Sequence, residues 1–141
     1  MRGDAPIVMD YEVNSGEYKD ANWILWGDAE SNVAWKQLND RLPLTMEKED
    51  WKIGDTRYPR DEFMPALIYP NPTNPGRYIV LNSGLTFREG HDRTNSLQNP
   101  KLPDWAIIDI TQPPDAFAPG RIHDAGFFDE KWQLKSQPKG P

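Results

Sequence analysis

Two apolar runs, Phe63 to Tyr69 and Arg77 to Leu81, show no alternation of polar with apolar residues. A run of that kind reads as a strand covered on both faces, as in a sheet sandwiched between helices. The link between them, Pro70-Asn71-Pro72-Thr73-Asn74-Pro75-Gly76, carries three prolines that lack backbone donors, so it predicts a rigid connection outside any ladder. Upstream, Ala21-Asn22-Trp23-Ile24-Leu25-Trp26 predicts a short buried strand ending at Gly27-Asp28. From Ala29 to Leu42, Val33, Ala34, Trp35, Leu38 and Leu42 form an apolar stripe at helical spacing, with Asp28 or Ser31 as the cap. Strand, tight turn and helix make the first half of a βαβ unit, and Pro43 closes the helix.

Shorter elements fill in the rest. Pro6 to Val13 alternates in part and predicts an edge strand or an arm within residues 1–20. Leu42 to Met46 suits a short strand, and Trp51 to Tyr58 suits a hairpin turning at Gly54-Asp55, taken as a surface flap inserted in the scaffold. Residues 87–97 are polar and suit one or two helical turns, interrupted at Gly90-His91. Asp104 to Ile110 is a third buried strand, Arg121 to Phe128 a final edge strand, and residues 136–141 a disordered tail. The fold class expected is α/β: one three-layer Rossmann-like or flavodoxin-like domain over residues 1–135, with a mostly parallel sheet.

Composition narrows the function. A chain of 141 residues supports one real core, and six Trp supply bulky filling. The net charge of −6, with no clustered Lys or Arg, disfavours nucleic acid and anionic membrane as partners. Without cysteine, disulfides and thiolate metal sites are excluded. No segment reaches the ~20 apolar residues of a membrane span. Met1 to Pro6 lacks a leader-like apolar run, which suits either an intracellular protein or a piece of a longer secreted chain.

Candidate chemistry gathers at two strand ends, where open α/β sheets hold ligands. Gly27, Asp28, Ser31 and Asn32 enter a helix directly after a strand, an anion-holding geometry, yet Asp28 and Glu30 bring the wrong charge and no phosphate-loop motif occurs. Asn82, Ser83 and Gly84 should face that turn across a crevice, with Thr86, Arg88 and His91 at its rim. Ser83 lacks the Gly two residues upstream that a nucleophile elbow needs, because Leu81 stands there. His91 beside Asp92 suits a base, but with no Cys and no second His at helical spacing it predicts no metal site. Asp109, inside a buried strand, needs a partner such as Arg93 or Arg121. Trp23, Trp26 and Trp35 read as core more readily than as a sugar-stacking platform. No cofactor motif is present.

The blocks Trp23 to Asn32, Tyr69 to Gly84, Lys101 to Ala106 and Asp124 to Phe128, taken in order, resemble the carboxy-terminal segment of large secreted prolyl-oligopeptidase-like serine hydrolases, over about Asp4 to Trp132. In that family the catalytic α/β-hydrolase domain is a separate part of the chain, and nothing here matches its nucleophile motif. The resemblance implies a non-catalytic accessory or interaction module, secreted or periplasmic, whose partner is a hydrolase domain or another protein. Two alternatives stand beside it. One is a small-ligand domain binding a sugar, carboxylate or anion in the crevice; the other is a small serine hydrolase using Ser83, His91 and Asp109.

Overall fold

The computed structural model describes residues 5–13, 16–83, 102–112 and 121–135. Its centre is a hairpin of two nine-residue strands, β5 (Phe63–Asn71) and β6 (Asn74–Asn82). The proline-rich link is therefore partly ladder: Pro70 pairs with Tyr78 and Asn71 with Asn74 across the Pro72-Thr73 turn, while Pro75 and Gly76 fall in the register shift without partners. A register shift at Pro70/Asn71 accommodates the missing proline donor. The Asn71 carboxamide oxygen accepts from the Thr73 amide at 2.9 Å and its hydroxyl at 2.7 Å, so the side chain supplies the turn's hydrogen bonds.

Around this hairpin a five-stranded sheet forms in the order β1-β6-β5-β7-β8, with β1 at Trp23–Trp26, β7 at Trp105–Asp109 and β8 at Arg121–Gly126. Only β1 and β6 run parallel; the other three pairings are antiparallel. A second, three-stranded antiparallel sheet holds β2 (Leu44–Met46), β3 (Asp50–Ile53) and β4 (Thr56–Pro59). The described helix is limited to α1 (Val33–Leu38) and a 3-10 turn at Asn39–Arg41.

These observations overturn the expected α/β class. The domain is mainly β, with mixed and antiparallel sheets and one short helix, so it is neither Rossmann-like nor flavodoxin-like. The hairpin at Trp51–Tyr58 is present, turning at Gly54 with φ +57°, but it is no surface flap. Trp51, Ile53 and Tyr58 are buried, and its sheet forms the second wall of the core. Residues 5–13 form an arm with a turn at Met9–Glu12 rather than a strand, and Val13 anchors the arm in the core. The expectations for residues 84–101 and 136–141 lie outside the described residues.

Register explains where the core sits. Side chains alternate across a strand, so the row Leu25, Leu81, Leu67 and Trp105 shares one face with Trp23, Ile79 and Ile107. That face packs on Trp35 and Leu38 of α1 and on Leu44, Trp51, Ile53 and Tyr58 of the small sheet. Two polar bonds clamp the sheets together: Trp51 Nε1 donates to the Phe63 carbonyl at 2.9 Å, and the Tyr58 hydroxyl donates to Asp124 at 2.6 Å. Burial and the neighbouring Asp124 carboxylate raise the Tyr58 pKa well above the usual phenol range. The opposite face is uneven. Ala106, Ile108 and Met64 are buried there, whereas Ile24 and Trp26 of the edge strand are 60% and 56% exposed.

Candidate functional site

A cleft of about 710 Å³ opens at the rim where β1 and β6 end and β5 begins. Because β1 and β6 are parallel, their carboxyl ends lie side by side, and the Gly27 amide donates to the Asn82 carbonyl at 3.2 Å. The sequence-selected tips thus adjoin. Asp28 and Ser83 line the cleft; Gly27, Ser31, Asn32 and Asn82 build the turns behind it. Gly84, Thr86, Arg88 and His91 lie outside the described residues.

The turn after β1 is self-satisfied. The Asp28 carboxylate accepts from the amides of Glu30 at 3.0 Å and Ser31 at 2.9 Å, and from the Ser31 hydroxyl at 2.8 Å. The helix cap is Asn32, not Asp28 or Ser31: its side chain accepts from the Trp35 amide at 3.0 Å and donates to the Trp26 carbonyl at 3.0 Å. The Val33 amide is taken by Asp10 of the amino-terminal arm. An incoming anion therefore meets amides that already have acceptors. Gly27, at φ +91°, holds the tight exit from β1, where a Cβ would strike the Ser31 hydroxyl.

Arg60 is the residue that sequence reading missed, and it organises the cleft. Its guanidinium donates to Glu30 at 3.1 Å, Asp28 at 3.3 Å and the Lys48 carbonyl at 3.0 Å, while lying over the Trp51 ring at 5.5 Å. Its backbone amide also reaches the Glu49 carbonyl at 2.9 Å. One side chain thereby ties the β1–α1 turn to the β2–β3 turn. The bond to Glu30 and the charges of Glu30 and Asp28 raise the arginine pKa further, so its charge is permanent and already answered. The signal available in the sequence was the charged triplet Arg60-Asp61-Glu62 placed directly before the longest apolar run.

The remaining wall is amphipathic. Trp51, Pro59, Phe63, Met64 and Ile110 give apolar surface, and Glu49, Asp50 and Asp61 stand with Lys48 as the charged part. The Ser83 hydroxyl donates to the Pro65 carbonyl at 2.8 Å. Asp109 is engaged by Thr111, whose hydroxyl and amide donate at 2.6 and 2.9 Å and lower its pKa, with Arg121 paired opposite it. His123 sits at the register shift of β8, its ring 4.7 Å from Phe63 and 5.9 Å from Tyr58. Trp23 and Trp35 are core residues, which leaves no three-tryptophan platform, whereas Trp26, also expected in the core, is exposed. Among the described residues no group of three His, Cys, Asp or Glu is arranged to hold a metal ion.

Acid should loosen this rim. Burial raises the Asp28 pKa, but the bonds from Ser31 and Glu30 and the charge of Arg60 outweigh it, so the net shift is downward. Glu47, hydrogen-bonded by Arg57, is shifted the same way. A carboxyl depressed on folding stabilises the protein above its unfolded pKa, and that contribution is lost as pH falls through the folded value. Thermal unfolding followed by circular dichroism should therefore be nearly level from about pH 7 to 5 and fall below about pH 4, where unfolded carboxyls take up protons. An Asp28→Asn variant should show a shallower fall.

No known family model, curated protein sequence or solved structure matches this chain.

Proposed function

We propose that this chain is a non-catalytic binding module, accessory to a secreted prolyl-oligopeptidase-like hydrolase, and that the rim cleft is where it holds its ligand. The observation that carries the reading is the cleft itself: about 710 Å³, within the usual range for ligand sites, with an apolar wall and convergent polar groups. The accessory role and the extracytoplasmic location rest on the resemblance of residues 23–32, 69–84, 101–106 and 124–128. The absence of a catalytic role is supported by Ser83, whose hydroxyl is committed to a backbone carbonyl. The purified domain should release no product from p-nitrophenyl esters or chromogenic peptides above the buffer rate. Turnover that disappears in Ser83→Ala would sink the proposal.

A second reading, protein docking, is favoured by the exposed Ile24 and Trp26 on the outer face of β1. If a Gly-x-Ser-x-Gly hydrolase domain is encoded beside this segment, adding it should shield Trp26 from acrylamide quenching. Equal quenching with and without that domain would remove this reading.

A further inference from the structure

We infer that the cleft takes a cation carried on an apolar stem, the chemistry of a lysine or arginine side chain presented by a peptide; this rests on the reading of the cleft as a binding site. Three observations converge on it. First, the cleft's own arginine has no charge to spare. Arg60 already faces the carboxylates of Asp28 and Glu30 and caps the Lys48 carbonyl. Second, the described lining holds four carboxylates, Asp28, Glu49, Asp50 and Asp61, against the two cations Lys48 and Arg60, a net charge of −2. Lys48 reaches only Glu49, at 3.5 Å, with both side chains largely in solvent, so the pair offsets little beyond itself. Asp50 and Asp61 make no side-chain hydrogen bond or ion pair among the described residues, and the nearby charge of Arg57, felt by Asp50, is already paired with Glu47.

Third, those carboxylates border apolar surface. Phe63, Met64, Ile110 and Pro59 line the same cleft, a wall along which a chain of methylenes can lie while its charged end reaches the acids. A compact inorganic cation would use none of that wall, and no described trio of ligands is arranged for one. An anion would meet the wrong field. An aliphatic cation uses both halves of the lining.

The test is calorimetric titration of the whole domain with three probes: Nα-acetyl-lysine-N-methylamide, the norleucine analogue, whose uncharged chain ends one atom sooner in a methyl, and the glutamate analogue. The lysine probe should bind about tenfold more tightly than the norleucine probe, and weaken as salt is raised. Asp50→Asn and Asp61→Asn should each weaken the lysine probe by about threefold to tenfold, and Lys48→Ala should strengthen it. Asp61 and Lys48 are exposed, so those two variants keep the fold and retain the test if Asp50→Asn does not. Norleucine or glutamate binding as tightly as lysine would overturn the cationic preference and leave the cleft a binding site. If no probe gives heat at about 20 mM, a concentration above ordinary weak-site dissociation constants, the binding-site reading itself fails.

Discussion

Trp35→Ala is expected to cost roughly 3–5 kcal/mol of unfolding free energy, the usual penalty for emptying a large aromatic site. Trp35 is fully buried, joins α1 to both sheets through the core, and lies 6.0 Å from the Trp51 ring. Against a total stability of about 5–15 kcal/mol, that loss would leave a large unfolded fraction. Trp35→Phe should behave differently. The Trp35 indole N–H is buried with no acceptor among the described residues, which corresponds to a desolvation cost of about 1–3 kcal/mol. Phenylalanine removes that unpaired donor along with some volume, and the two effects oppose each other. Urea unfolding should show a large loss for alanine and a small one for phenylalanine. Equal losses would mean that the N–H has found a partner.

Arg60→Ala is expected to cost roughly 1–3 kcal/mol, because it removes the donor to Asp28 Oδ2 and to the Glu47 and Lys48 carbonyls beside the cleft, while the bonds from Glu30 and Ser31 to Asp28 Oδ1 remain. The Glu30 contact contributes little of this, since that side chain is 68% exposed. Arg60→Lys should recover only part of the loss. A single ammonium cannot reproduce a planar fork that serves two turns while lying over an indole ring. Combining Arg60→Ala with Asp28→Asn should cost less than the sum of the two changes, which a double-mutant cycle in urea would register. Additive losses would show that the two residues act independently.

Strand positions were legible in the sequence; strand directions were not. Unalternated apolar runs over residues 63–69 and 77–81 suggested parallel strands, but a parallel pair needs a crossover of about a dozen residues or more, and the proline-rich link is too short for one. Link length should have outweighed burial. The helix was over-read for a local reason: Asn39 donates to the Met46 carbonyl at 3.1 Å and accepts from its amide at 2.8 Å, pulling the chain out of α1 and into β2. Apolar spacing does not encode such a bond.

The candidate site was half legible. Asp28 and Ser83 announced themselves as small polar residues ending apolar strands. Arg60 did not, because its carboxylate partners lie about thirty residues upstream, and only the folded sheet brings them within reach.

The parallel pairing of β1 with β6 has a consequence for how the molecule assembles. Trp23 must meet Ile79 across more than fifty residues of intervening chain, whereas β5 and β6 meet across a two-residue turn. Loop-closure entropy grows only logarithmically, so the long excursion costs little at equilibrium. In time it weighs heavily, since distant contacts form after local ones. The hairpin is thus expected to serve as the template, with the amino-terminal strand docking on it late. On that order the rim that carries the cleft is completed when β1 docks.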